Sequence, residues 1–354
     1  MLGGVKLPGM SPVQTAHRAG GGFQNPWGPA SQEARFGAFL KWVLLERPRS
    51  RRTASLSRRA FADRFPASVP SFPAPRASAS DVVITWIGHS SFLMQIGGRN
   101  LLLDPVWSDR ASPFQWLGPQ RWTPPGIPFD TLPPIDAVLI SHDHYDHLDD
   151  TTVRRLARLT PAPRWYAPLG VGAWLERRGA RGVTELDWWD ESEWADPRFA
   201  SPMTLTATPA QHFSGRGVTN RNQTLWCGWG IRAGTRAVWF VGDTGRHPVF
   251  ADIGKRLGPL DAVLMPIGAY NPQWFMAPVH VAPEDAVAGF SEAIAAAPRP
   301  DGQVPMMVGM HWGTFKLTDE PVEEPPARTR RAWSAAGIPA DRLWLPAHGE
   351  TRVL

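Results

Sequence analysis

The chain has 354 residues, 43% of them hydrophobic, which suits a sizeable core in one large domain or two modest ones and argues against a disordered chain. Its charge is uneven: the first 80 residues hold 12 Lys/Arg and three Asp/Glu, the remainder 25 and 29, so a basic extension aimed at an anionic surface precedes a slightly acidic body. One cysteine, Cys227, excludes an intrachain disulfide and a thiolate-rich metal site, and fits a reducing compartment.

Residues 1–30 read as loop, and they lack the apolar core of a secretory signal. Over residues 31–47, Phe36, Phe39, Leu40, Val43 and Leu44 recur at helical spacing, which predicts an amphipathic helix. Its apolar face has two destinations, a membrane interface or the protein body. An arginine-dense stretch, 47–64, and a proline-rich one, 66–75, follow; the latter cannot sustain helix or central strand. The expected division is a basic extension over residues 1–80 and a folded body over 81–354.

Within the body, short runs rich in Val, Ile and Leu predict strands at 82–87, 92–96, 101–103, 137–140, 205–207, 237–241, 262–265 and 306–310. Helical patterns fall at 151–159, 170–178 and 283–296, so the expected fold is a four-layer αββα sandwich with helices outside two sheets. No run approaches the roughly 18 to 20 apolar residues of a spanning helix. The expectation is a cytoplasmic protein, at most peripheral on a membrane.

The sharpest signal is His142-Asp-His144-Tyr-Asp146-His147, an HxHxDH pattern directly after the apolar run 137–140. So many costly polar groups at one strand end imply a cation that compensates them, and zinc accepts such nitrogen and oxygen ligands. Three further candidates each follow an apolar run: His212, Asp243 and His311. The resulting expectation is one metal on His142, His144 and His212, a second on Asp146, His147 and His311, and Asp243 bridging them.

Further segments carry a resemblance: Asn25-Pro-Trp27, Trp86-Ile-Gly-His89, Asp104-Pro105, Arg110-Ala-Ser-Pro113, Gly242-Asp-Thr-Gly245, Tyr270 with Trp274-Phe-Met276, His311-Trp-Gly-Thr-Phe315 and His348-Gly-Glu350. From about Phe23 to the end, the chain resembles the N-acylphosphatidylethanolamine-hydrolysing phospholipase D branch of the metallo-β-lactamase superfamily. The resemblance implies two zinc ions, the ligand set above and hydrolysis of a phospholipid phosphodiester to phosphatidic acid and an N-acylethanolamine. Two ions can lower the pKa of a bridging water toward 7 and offset charge on the leaving alkoxide. The resemblance also suggests a homodimer. The chain departs from the vertebrate enzymes over 47–64 and 213–222.

Catalytic roles fall to Asp243, as bridge, and to Asp146, as ligand and hydrogen-bond acceptor for the nucleophile. His89, Asp104 and His348 are candidates to orient the ligands. Tyr270, Trp274, Phe275, Met276 and His280 are the candidate substrate wall, apolar with a polar tip and suited to an acyl chain; the alternative is a packed aromatic cluster. A lactonase acting on a sugar phosphate is the second functional reading, and it would need more hydrophilic walls. A nucleic-acid partner is not expected, because the arginines precede the body instead of flanking the ligands.

Overall fold

The computed structural model describes residues 17–27, 55–217 and 219–354, so the helix expected over 31–47 lies outside the described residues. A small hairpin, β1 (Arg18–Ala19) and β2 (Gly22–Phe23), precedes α1 (Arg58–Arg64). Helix α1 forms within the arginine-dense stretch: Ser57 caps it by accepting the Ala60 N–H at 3.2 Å, and Phe61 is its one fully buried side chain. A single apolar anchor leaves no periodic pattern to read.

The first half of the body supplies β3 (Val82–Gly88), β4 (Ser91–Ile96), β5 (Arg99–Leu103), β6 (Ala137–Leu139), α2 (Asp150–Leu156), β7 (Arg164–Pro168), α3 (Gly172–Glu176) and β8 (Val183–Leu186). The second half supplies β9 (Glu191–Trp194), β10 (Met203–Thr208), β11 (Gly228–Ala233), β12 (Arg236–Phe240), α4 (Phe250–Leu257), β13 (Ala262–Pro266), α5 (Gln273–Met276), α6 (Pro283–Ala296), β14 (Met306–Met310), α7 (Glu324–Ala335), β15 (Leu343–Trp344) and β16 (Thr351–Val353).

These strands form two large sheets, in the orders β16-β3-β4-β5-β6-β7-β8 and β15-β14-β13-β12-β11-β10-β9. Each sheet starts with antiparallel pairs, β3 to β5 and β9 to β12, and continues in parallel, β5 to β8 and β12 to β15. The last strand, β16, pairs with β3 and closes the chain onto the first sheet.

Side chains alternate across the strands. Phe92, Met94, Leu101, Leu103 and Leu139 join Val238, Phe240, Leu264 and Val308 in one cluster between the sheets. Leu93, Leu102, Val138 and Ile140 face the other way and pack with Val153, Leu156 and Leu175 of α2 and α3. Phe250, Ile253, Phe290 and Trp333 cover the second sheet from α4, α6 and α7. Strands buried on both faces read as continuous apolar runs, which is why the sequence pattern was unbroken there. The expected four-layer αββα sandwich is the arrangement found.

Candidate metal centre

The residues singled out for metal binding lie on one rim of the sandwich, where several strands end. Strand β6 runs into the HxHxDH loop, which closes at Asp149, the N-cap of α2, whose side chain accepts the Thr152 N–H at 3.3 Å. Beyond the ends of β10, β12 and β14 stand His212, Asp243 and His311, and Asp104 directly follows β5. Open α/β sheets bind ligands outside the carboxyl ends of their strands.

Two groups of donor atoms face each other there. His142 Nε2 lies 2.9 Å and His212 Nε2 3.2 Å from His144 Nδ1. In the second group, Asp146 Oδ2 is 3.5 Å from both His147 Nε2 and His311 Nε2. Asp243 Oδ2 sits between the groups, 3.0 Å from His311 Nε2, 3.2 Å from His147 Nε2, 3.8 Å from His212 Nε2 and 4.0 Å from His142 Nε2. All seven candidate ligands therefore converge.

Electrostatics divide the cluster. Burial first, and then their imidazole neighbours, hold His142 well below its ordinary pKa. Burial likewise lowers His212 and His144. For His147 and His311 burial acts downward too, but Asp243 and Asp146 outweigh it, raising His147 well above its ordinary value and His311 to about 9. Burial opposes ionisation of Asp146 and Asp243, yet the His147 charge draws both well below the usual carboxylate range. The protein alone thus balances two buried carboxylates with two imidazolium ions, a role that divalent cations would take over. The donor set fits such ions. Asp243 Oδ1, His147 Nε2 and both ring nitrogens of His311 are buried without a hydrogen-bond partner.

Neighbouring side chains fix the ligands. Asp104 is fully buried; Oδ1 accepts the Ser141 N–H at 2.7 Å and Oδ2 lies 2.7 Å from His147 Nδ1. His89 Nε2 is 2.9 Å from Asp146 Oδ2, and burial lowers its pKa to about 3. His348 acts at one remove: its Nε2 is 2.8 Å from Thr314 Oγ1, which accepts the His89 N–H at 2.6 Å.

The residues expected to form a substrate wall are dispersed. His280 reaches the cluster, with Nδ1 3.9 Å from Asp243 Oδ2 and no hydrogen-bond partner. Tyr270 turns toward α7, donating to Glu324 Oε1 at 2.9 Å under the Arg328 guanidinium. Met276 is buried, Phe275 half-buried and Trp274 exposed.

Two contacts carried no sequence signal. Arg216 Nη1 donates to Asp143 O and Leu148 O, each at 2.7 Å, clasping the HxHxDH loop from both sides while its guanidinium lies on the Tyr145 ring. Asn25, quoted above only as part of a motif, bonds to the backbone of His212.

A family model described as a beta-lactamase superfamily domain matches residues 99–312. The chain is 39% identical over 246 residues to N-acyl-phosphatidylethanolamine-hydrolyzing phospholipase D 1 of Caenorhabditis elegans, covering 68% of this chain and 66% of that protein. It is 30% identical over 277 residues to the mitochondrial N-acyl-phosphatidylethanolamine-hydrolyzing phospholipase D of Saccharomyces cerevisiae, covering 77% of this chain and 56% of that protein. Among solved structures, a metallo hydrolase of the archaeon Ignicoccus hospitalis superposes with a TM-score of 0.55 at 20% identity, covering 78% of this chain and 99% of that one, a likeness of fold alone. The chain belongs to the beta-lactamase superfamily and is one of its metal-dependent hydrolases.

Proposed function

We propose that this chain hydrolyses the phosphodiester of N-acylphosphatidylethanolamine-like phospholipids in the manner of a phospholipase D, releasing an N-acylethanolamine and phosphatidic acid, with two zinc ions as cofactors. The observation that carries the reading is the pair of donor groups facing each other across Asp243. His142, His144 and His212 would hold one ion, Asp146, His147 and His311 the other, with Asp243 between. Ions held there would act as Lewis acids toward phosphate oxygens and bring the pKa of water toward neutrality.

The chain's own residues contribute the rest. Asp146 stays ionised, so it can accept a hydrogen bond from an attacking water and orient it. His280 has a pKa of about 3, lowered by burial, so it is neutral at pH 7 and offers its unpartnered Nδ1 to a polar group of the substrate. Phe213 packs edge-to-face against His144 with ring centroids 4.4 Å apart, and Phe315 in the same way against His89 at 5.3 Å, giving the centre apolar flanks. A cavity of about 670 Å³, lined in part by Pro113, Asp143, Tyr145, Trp174 and Arg216, lies beside the HxHxDH loop. That size suits a lipid headgroup with part of its chains.

The proposal includes peripheral contact of a cytoplasmic homodimer with a membrane surface, for which the basic first 80 residues are the support. No helix among the described residues is long and apolar enough to cross a membrane.

Turnover assays on N-acylphosphatidylethanolamine and on a sugar-phosphate lactone test the substrate class. Release of phosphatidic acid from the lipid is expected; turnover of the lactone alone would replace this reading with the lactonase one. A second expectation concerns protons. His147 and His311 are drawn toward the protonated form without metal and must lose those protons to bind it, so zinc added to chelator-stripped protein should release protons, together with any from water ionised on the ions. Because His311 stays protonated up to about pH 9, zinc affinity should climb as pH rises toward that value. Affinity that does not change between pH 6 and about pH 9 would contradict the assignment, and dye-monitored titration in weak buffer reads the released protons.

A further inference from the structure

We infer that Asn25 is a positioning residue of the metal centre: its carboxamide holds the backbone of His212 and so keeps one group's third imidazole on aim. The inference rests on the metal reading above. Asn25 Nδ2 donates to His212 O at 2.7 Å, and His212 N–H donates to Asn25 Oδ1 at 3.1 Å. Both polar groups of the His212 backbone are thereby held by one side chain 187 positions away. His212 stands four residues beyond the end of β10, outside the ladder that fixes the strand itself. Its ring is fixed separately, with Nδ1 2.9 Å from Val279 O, which leaves Nε2 directed at His144. Backbone and ring are together held at three atoms, so the ligand nitrogen has little freedom left.

The geometry also explains the residue type. Pairing with a backbone N–H and C=O at once requires one acceptor and one donor at amide spacing, which a carboxamide provides and a carboxylate or hydroxyl cannot match.

Asn25 is itself moored. His17 Nε2 lies 2.7 Å from Asp187 Oδ1, and Arg18 pairs with the other oxygen of the same carboxylate. The Phe23 N–H donates to Asn222 O at 2.8 Å, in the loop that follows His212. Gly22 permits that approach, because a Cβ there would lie 2.5 Å from Asn222 O. Trp27 stacks on Trp188 and His247, with centroids 5.6 and 5.1 Å away. Residues 17–27 thus form a strap across the end of the second sheet, and Asn25 is the point where it meets the centre. On this inference, the strap is a working part of the hydrolase and not an appendage to it.

The test uses full-length, zinc-loaded protein carrying Asn25→Leu, which keeps the side-chain shape and removes both hydrogen bonds. Zinc retention is measured after dialysis against graded chelator, and zinc release is followed in a stopped-flow with a chromogenic chelator. One of the two ions should be held about tenfold more weakly, in the range found when groups that orient ligands are lost. Turnover should fall in kcat with KM almost unchanged. Arg18→Ala removes only an exposed ion pair to Asp187, a carboxylate that the buried His17 continues to hold, so it should leave zinc retention at the wild-type level. Should Asn25→Leu fail to fold, Asn25→Asp keeps the size but sets an anionic oxygen in place of the donor to the His212 carbonyl, and it should weaken the same ion. Unchanged retention in the folded Asn25 variants overturns the inference, as does an equal loss in Arg18→Ala, which would assign the effect to strap docking alone. A wild-type protein that takes up no divalent ion would instead bring down the metal reading, and this inference with it.

Discussion

Replacing Asp243 by asparagine should abolish phosphodiester turnover and strip at least one metal ion from the protein while leaving the fold in place. The carboxylate stands where β12 ends, and Oδ2 has imidazole nitrogens of His311, His147, His212, His280 and His142 within 4.0 Å. Asparagine preserves the volume and removes the charge, so packing between the sheets is undisturbed. The loss should exceed the ~100-fold upper range seen when a residue that only orients a ligand is changed. Metal per chain, measured by plasma emission after gel filtration, should drop in parallel with kcat/KM. A variant with full metal content and activity within about tenfold of wild type would show that the cluster does not depend on this charge.

Removing Asp104 should have the second-largest effect, and it should appear in stability as well as in metal affinity. The group is fully buried; burial raises its pKa, and the contacts with His147 and Ser141 oppose that shift. Asp104→Ala would leave the Ser141 N–H and the charged His147 ring without their partner. Breaking a buried pair of this kind costs about 3–5 kcal/mol. Urea denaturation in excess chelator isolates this cost from the stabilisation that bound metal adds. Metal affinity should fall ~10–100-fold, because His147 loses the contact that orients its ring. If the midpoint and the affinity both stay at wild-type values, the buried contact contributes nothing in solution.

What the sequence disclosed and what it hid follow from where the partners of each residue lie. Strands β3 to β6 and β12 to β14 are covered on both faces, so their apolar runs were plain; the HxHxDH cluster, Asp243 and His311 were legible just beyond such runs, and His212 four residues past β10. Strands β8 and β9, at the sheet edges, carry Thr184, Glu185, Glu191 and Glu193 and have no apolar run to betray them. Strand β11 begins Gly-Trp-Gly and owes its extended form to pairing with β10 and β12. Helix α2 was expected to reach residue 159 but ends at Leu156, and α3 is five residues where nine were expected.

The site shows the same division. HxHxDH is local and was read directly, whereas the hold of Asn25 on His212 depends on a contact that no window of sequence contains. Aromatic composition could not separate a pocket wall from packing: Tyr270 is tied to Glu324 on α7, while His280, the polar tip of the same segment, reaches Asp243.

His89, Asp104 and His311 all have left-handed backbones, with φ of 56°, 37° and 63°. For residues bearing a Cβ this conformation costs roughly 1–2 kcal/mol each, and only the surrounding architecture can sustain it. A fragment, a swollen intermediate or a transplanted loop would relax these three torsions and scatter the side chains they aim. Competence for catalysis is therefore an all-or-none property of the finished sandwich, so activity should vanish with the first cooperative loss of packing and not fade ahead of it.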